Sequence, residues 1–473
     1  MRICLFLLAF SIAFSVHAQD STVYYKASVM LSGATDQSPF WVHANQNGNI
    51  PMDGNFALGN LALYKVYNPN NPRVFQWSAG AEIVGSYAKS EKIFASDMYI
   101  SAKIGIVEIL GGQKKNVTGL MDTTLTSGSL SVAGNSRPFP RLQISIPDYT
   151  PLYFTNNFVS IKMSYSDGLL RGSRVNYGST PYVDRTYFHQ KTLYLKFGNI
   201  HHKLNIYAGM NHQAMWGGED EIDPLHDLKP EKAYWYTISG KTFNSRKTGN
   251  HFGTIDVGGE WKSKQWSYFL YRQNIFETGS LFKVINFQDG LNGLRVKRNA
   301  RYNAGSKKFE LQSFLLEVIG TQSQINKSPL SGLAVYQNGN YFNSYIYQTG
   351  WSYRGKGIGT PLIPESGITK NTLPRNDSEF TNNNKFWAFH TGMVANWLRL
   401  KLSLRATYSR NSGSYLSAFD STEQQVSILF SAERNLKALK GCSIYSSISS
   451  DFGELYPNSS GLLVGIRKNG FLD

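Results

Sequence analysis

Histidines and carboxylates crowd one third of this chain. His189, His201, His202, His212 and His226 fall there, with Glu219, Asp220, Glu221 and Asp223 close by. Such side chains ligate metals and also move protons. Their spacing, however, matches no HExxH helix, and neighbouring rings such as His201 and His202 at a turn point apart. The acidic run GEDEID (218–223) has the oxygen ligands that calcium prefers but not the DxDxDG order. There is no GxSxG nucleophile elbow. Asp167, Glu219 and Asp223 are nominees for a glycoside-cleaving pair, whose separation the sequence does not give. The expectation is no enzyme: no catalytic residue, no metal and no cofactor.

Sugar binding has the better physical warrant. Aromatic faces pack on the C–H face of a sugar ring, amides bond its hydroxyls, and arginine forks hold a carboxylate. The stretch AGMNHQAMWGGED (208–220) sets Trp216 near Asn211, His212 and Gln213. In NSRPFPR (135–141), Arg137 and Arg141 are separated by prolines that stiffen the backbone. Tyr341, Tyr345, Trp351, Tyr353 and Arg354 form a further cluster of aromatics and a cation. The expected polysaccharide contacts are therefore Arg137, Arg141, Asn211, His212, Trp216, Tyr345, Trp351 and Arg354. The competing reading is structural: the aromatics belong to a membrane-interface girdle, and Pro138 and Pro140 shape a loop. Gly217–Gly218 permits a tight turn, so 208–220 reads as a strand end entering a long loop, with Trp216 at its mouth.

The elements that must hold these residues begin with a leader. Arg2, the apolar run Ile3–Phe14 and the small Ala18 form a secretory signal peptide over 1–18, too short for a spanning helix. Without it, Cys442 is the one cysteine, read as a small strand residue, and no intramolecular disulfide is possible. Tyr and Phe number 28 each and Gly 43, yet the mean hydropathy is negative, at −0.31. That combination suits a membrane β-barrel, in which alternate residues face lipid and aromatics gather at the interfaces. The formal charge of +16 attracts anions, namely acidic polysaccharide or anionic outer-membrane lipid; export argues against nucleic acid.

Hydrophobic periodicity has a period of two. In DMYISAKIGIV, Met98, Ile100, Ala102 and Ile104 oppose Asp97, Tyr99, Ser101 and Lys103. In WLRLKLSLRATYS, Leu400, Leu402 and Leu404 oppose Lys401, Ser403 and Arg405, whose cations suit a watery lumen. Segments at 75–87, 191–198 and 423–432 alternate likewise, and FGNIHHK and KSKQ join successive hairpins. Long connections are expected at 117–150, 213–250 and 337–385, with a short helix around 223–235. The fold class is all-β: one transmembrane antiparallel barrel over 19–473, exported to a Gram-negative outer membrane and monomeric.

Five ordered blocks carry a family resemblance: AGNSRPFPRLQISIPDYTPL, MSYSDGLLRGSR, FHQKTLYLKFG, AGMNHQAMWGGE and YFNSYIYQTGWSYRGKGIGTPLI. Spread over roughly 25–470, the chain resembles the capsule assembly Wzi family. The resemblance implies a barrel of about 18 strands that acts as a lectin for capsular or other surface polysaccharide. It also implies a small helical element on the periplasmic side. Phe471 takes the place of the terminal aromatic of many barrels. Two alternatives stay open, a diffusion channel with an open lumen and a barrel enzyme acting on glycan or lipid.

Overall fold

A computed structural model of the chain describes residues 22–71, 73–89, 91–224, 228–244, 246–277, 287–299, 308–324 and 339–472. The leader read at 1–18 and His226 lie outside the described residues.

Successive side chains of a strand point to opposite faces, so a sequence alternating oily and polar residues can close only with one face in and one out. The barrel strands are β1 (Val23–Ala34), β2 (Phe56–Lys65), β3 (Phe75–Tyr87), β4 (Glu91–Ile104), β5 (Val107–Gln113) and β6 (Arg141–Pro151). They continue with β7 (Val159–Leu169), β8 (Tyr187–Phe197), β9 (Leu204–Trp216), β10 (Asn250–Lys262), β11 (Trp266–Glu277) and β12 (Gly290–Arg298). The last are β13 (Glu310–Gly320), β14 (Phe386–Trp397), β15 (Leu400–Gly413), β16 (Ala418–Asn435), β17 (Cys442–Gly453) and β18 (Ser459–Leu472). Each pairs antiparallel with the next, and β18 returns to β1 with Val23 opposite Leu472, giving one closed 18-stranded sheet. Closure leaves no unpaired edge, which hydrocarbon would not tolerate.

The outer wall is apolar. On β4, Met98, Ile100 and Ile104 are 56 %, 63 % and 54 % exposed, whereas Asp97 and Ser101 on the lumen side are 4 % and 2 %. Trp77, Trp261, Tyr268 and Trp397 stand outward near one rim, as an interface girdle requires. At that end the connections are short, such as 105–106, 263–265 and 398–399, and β1 begins there and β18 ends there. The opposite end carries the connections 35–55, 114–140, 170–186, 217–249 and 321–385. Short turns face the periplasm and long loops the exterior in barrels of this kind.

Long loops also fill the lumen. Segment 115–131 is pinned on one wall by the Lys115 backbone N–H to Asp97 (2.8 Å) and by an ion pair to Glu82. On the opposite wall, Glu317 of β13 accepts from the Thr126 hydroxyl (2.7 Å), the Ser127 N–H (2.7 Å) and the Ser127 hydroxyl (2.6 Å). Asp256 accepts from Leu120 N–H, Gln273 from Leu130 N–H, and His390 Nε2 lies 2.8 Å from the Leu125 carbonyl. Strands β3 and β13 stand across the barrel from each other, so the segment spans the lumen. Beside it pack Phe40 and Trp41 from 35–55 and Tyr341, Phe342, Tyr347 and Trp351 from the last long loop, all nearly inaccessible. This apolar plug is the core of the molecule. Its backbone polar groups are satisfied from the walls, as burial demands.

Several expectations are corrected. The connection foreseen at 117–150 is loop only to residue 140, because β6 resumes at Arg141; its Pro147 sits where the β6–β7 register shifts, a place that tolerates proline. Residues 213–216 extend β9. The foreseen short helix is Pro230–Ser239, opened by Pro at its first turn and closed by Gly240 at φ 66°. The described helices Phe40–His43, Glu219–Ile222 and Pro230–Ser239 all belong to long-loop connections. At the short-turn end the described residues hold a 3-10 turn, Tyr153–Thr155, in place of the expected periplasmic helical element. Phe471 shares the lumen side with Arg467 and meets Tyr24 edge-on at 5.4 Å, so it is not a lipid-facing terminal aromatic.

Candidate functional site

The residues nominated for sugar do not form one site. Asn211 is fully buried on the lumen side of β9, its carbonyl held by Gln190 (2.8 Å) and its amide given to Gln213 (3.2 Å). Arg141 is buried inside the wall near Asp97 and Glu108. Trp351 is 1 % exposed, edge-on to Phe188 at 6.0 Å and tilted on Phe252 at 5.9 Å. Each of these supports the barrel or plug in this structure.

His212 and Trp216 lie on the other side of the same strand, facing outward. Trp216 stacks on Tyr187 at 4.8 Å and is covered by Leu228, Ala233 and Tyr234, so it lies under a loop helix and not at a mouth. His212 Nε2 and His251 Nδ1 are 2.9 Å apart, and His251 Nε2 is 2.8 Å from the Thr248 carbonyl. Asp167 joins the same outer patch, 2.9 Å from His189 Nδ1 and accepting the Tyr234 hydroxyl at 2.8 Å. His201 and His202 are at a short turn at the far end of the barrel. Gly217 and Gly218 take φ 129° and 78°; a Cβ at Gly218 would fall 2.4 Å from Val183. Glu219 accepts twice from the Gly217 N–H (3.0 and 3.1 Å), and burial holds its carboxyl above the usual carboxylate range.

Arg137 and Arg354 do come together, at the long-loop end. Ser352–Tyr353 and Lys356–Gly357 form a tiny hairpin whose central Arg354 and Gly355 have φ 53° and 77°. Two left-handed residues in succession make the turn that best joins adjacent strands, and they thrust the Arg354 side chain outward. Phe139 packs edge-on against Tyr353 at 5.8 Å, tying the Arg137 loop to this hairpin. The Arg137 guanidinium lies 3.3 Å over the Phe94 ring and donates to the Gly48 carbonyl at 3.3 Å. Burial, with the Arg354 charge beside it, brings Arg137 down to about 10; Arg171 adds to the same push.

Arg354 and Arg171 thus lie near enough for their charges to act on Arg137, and no carboxylate is among the charges that do. Arg171 and Arg354 are exposed. Also among the long loops, where Val175 pairs with Tyr347, Tyr177 and Tyr345 stack nearly parallel, 6.3 Å apart and 7° between planes. Both remain exposed, at 46 % and 44 %. An electropositive patch and flat aromatic faces on the same loop end are the groups that can hold a polyhydroxylated anion. Arg171, Tyr177 and Phe94 escaped the sequence reading. Only the block MSYSDGLLRGSR, which contains Arg171, offered a signal.

No family model matches the chain, and no curated protein matches it. Solved structures do. Wzi of Escherichia coli, an outer membrane protein involved in group 1 capsule assembly and a carbohydrate-binding β-barrel, aligns with a TM-score of 0.58 at 14 % identity, over 94 % of this chain and 85 % of Wzi. OpdL of Pseudomonas aeruginosa aligns with a TM-score of 0.50 at 7 % identity, over 96 % of this chain and all (100 %) of OpdL. At such identities the likeness is one of fold: this chain is a closed antiparallel β-barrel built like those of outer-membrane proteins.

Proposed function

We propose that this protein is an outer-membrane lectin that binds and anchors capsular or other acidic surface polysaccharide, a distant relative of the Wzi family, acting by binding and not by catalysis. The reading rests on the charges of Arg171 and Arg354 near Arg137, with exposed tyrosines on the same loop end of a barrel whose lumen segment 115–131 crosses. Wzi, the fold neighbour that binds carbohydrate, supports the same reading. A diffusion channel needs an open lumen, and segment 115–131 crossing it favours adhesion over transport. Many shallow contacts repeated along a polymer give retention without a deep pocket. The partners are surface polysaccharide and membrane lipid, with no cofactor, no nucleic acid and a monomeric barrel.

The test is retention of acidic polysaccharide by purified protein across a salt series. Arg137→Ala with Arg354→Ala is expected to weaken binding roughly 10- to 100-fold, as loss of charged hydrogen bonds implies, and to flatten the salt dependence. Unchanged binding in that double variant, with the barrel folded, overturns the reading.

A further inference from the structure

The lumen holds a cavity below the plug, away from the arginine cluster. It measures about 330 Å³, and the plug residues Asn116–Met121 line it as well as the barrel wall. Six of its wall residues lie near the ends of their strands. Tyr149 lies two residues before the end of β6, Lys162 three after the start of β7, and Tyr207 three after the start of β9. Glu260 lies two before the end of β10, Phe269 three after the start of β11, and Arg295 three before the end of β12. All these strand ends belong to the short-turn rim, so the cavity is a vestibule on the periplasmic side.

Its chemistry is that of a sugar site. Tyr149 meets Tyr207 at 5.6 Å and Tyr207 meets Phe269 at 5.5 Å, each pair edge-to-face, which lines the vestibule with a continuous aromatic surface. Tyr207 donates to Glu260 at 3.2 Å, Arg295 bridges to Glu260 at 3.0 Å, and its guanidinium lies 5.2 Å from the Phe269 ring centre. Arg295 Nε is buried without a hydrogen-bond partner. Glu260 is shared by Arg295 (3.0 Å) and Lys262 (3.6 Å), and with Lys162 exposed within the lumen the vestibule lining carries more cations than carboxylates. Ser145, Ser164, Thr192 and Gln143 add hydroxyl and amide groups, and Leu120, Met121, Ile146 and Met163 add apolar surface. Aromatic surface, hydroxyl-bonding groups and a spare cation are the requirements of a short acidic sugar segment, and the volume suits one or two sugar units.

We infer that this vestibule is a second glycan subsite, facing the periplasm, which takes one or two units of a uronic-acid-bearing chain. It shares a ligand class with the proposed function but no residues, so each can fail alone. The probe is a set of galacturonic-acid oligosaccharides, with maltose oligosaccharides as neutral control, titrated by calorimetry into the detergent-solubilised full chain. Wild type is expected to show two classes of site for the acidic probe. Arg137→Ala with Arg354→Ala should leave one class, and Lys162→Gln with Tyr149→Ala should remove that class, at least tenfold, while sparing the other. Lys162→Gln alone, at a solvent-facing position, guards against a folding defect and should weaken the vestibule class severalfold. A single class of site that vanishes with the loop arginines and ignores both vestibule variants overturns the inference and leaves the lectin reading intact. Binding lost only in the vestibule variants upholds the inference and sinks the loop site. Equal binding of the neutral probe in the vestibule overturns the acidic preference.

Discussion

Arg137 combines three constraints: a ring beneath it, a carbonyl at its edge and like charges beside it. Lysine keeps the charge but not the planar face, so Arg137→Lys is expected to bind acidic polysaccharide several-fold more weakly, read by the same titration. Trp351 has a different role. Its indole is enclosed by plug aromatics, and Trp351→Ala should cost about 3–5 kcal/mol of stability, seen as a lower thermal unfolding midpoint. His43, in the short plug helix, supplies a pH dependence. Burial, with Lys356 nearby, holds its imidazole well below the ordinary histidine range, so the folded chain keeps it neutral. An unfolded chain protonates that ring as pH falls through about 6.5, and a depressed folded value means stability is present above that range and lost below it. Thermal unfolding at pH 7.5 and pH 5 should show the loss in wild type and a smaller loss in His43→Gln.

The decisive elements are the loops that turn inward. Segment 115–131 has little regular structure of its own and takes its shape from acceptors on the walls, chiefly Glu317, Asp256 and Gln273. Glycine on the wall makes room for it: a Cβ at Gly392 would come within 2.8 Å of the Leu125 side chain. Glu317→Ala would leave the Thr126, Ser127 and Tyr271 donors buried without an acceptor, at about 1–3 kcal/mol each. The barrel wall has its own hydrogen bonds and should survive that loss, while the plug loosens. Planar-bilayer recording should then find ion conductance in Glu317→Ala that wild type lacks. Sealed behaviour in both would mean the plug is held by packing alone. Period-two strands were legible in the letters because each face meets one solvent. Loop segment 115–131 was not, because its partners lie scattered over β3, β4 and β8 to β15.

At the scale of the whole molecule, the outer wall must be oily and the sheet closed. Ile448 lies in the middle of β17, 61 % exposed, between the lumen-side Ser447 and the buried Ser449. Ile448→Arg places a cation in lipid and should cost about 2–4 kcal/mol near the midplane, measured by folding into synthetic bilayers. Under the proposed lectin role, the formal charge of +16 favours an anionic polymer, while the apolar outer wall keeps the barrel's fit to the membrane.

By itself the sequence determined the alternation of faces, the strand-rich fold, the turn at Gly217–Gly218 and the arginine at each of two loop tips. Those are local properties, legible because a strand repeats every two residues and a left-handed turn needs glycine. Tertiary structure decided which nominees meet. Arg137 and Arg354 lie more than two hundred residues apart and converge, whereas Asn211 and His212 are neighbours in the chain and face opposite sides of the wall. The folding-in of the long loops, which carries segment 115–131 across the lumen and buries Trp351, was likewise decided only there. Loop paths depend on the summed positions of distant wall groups, and no periodicity in the chain records those positions.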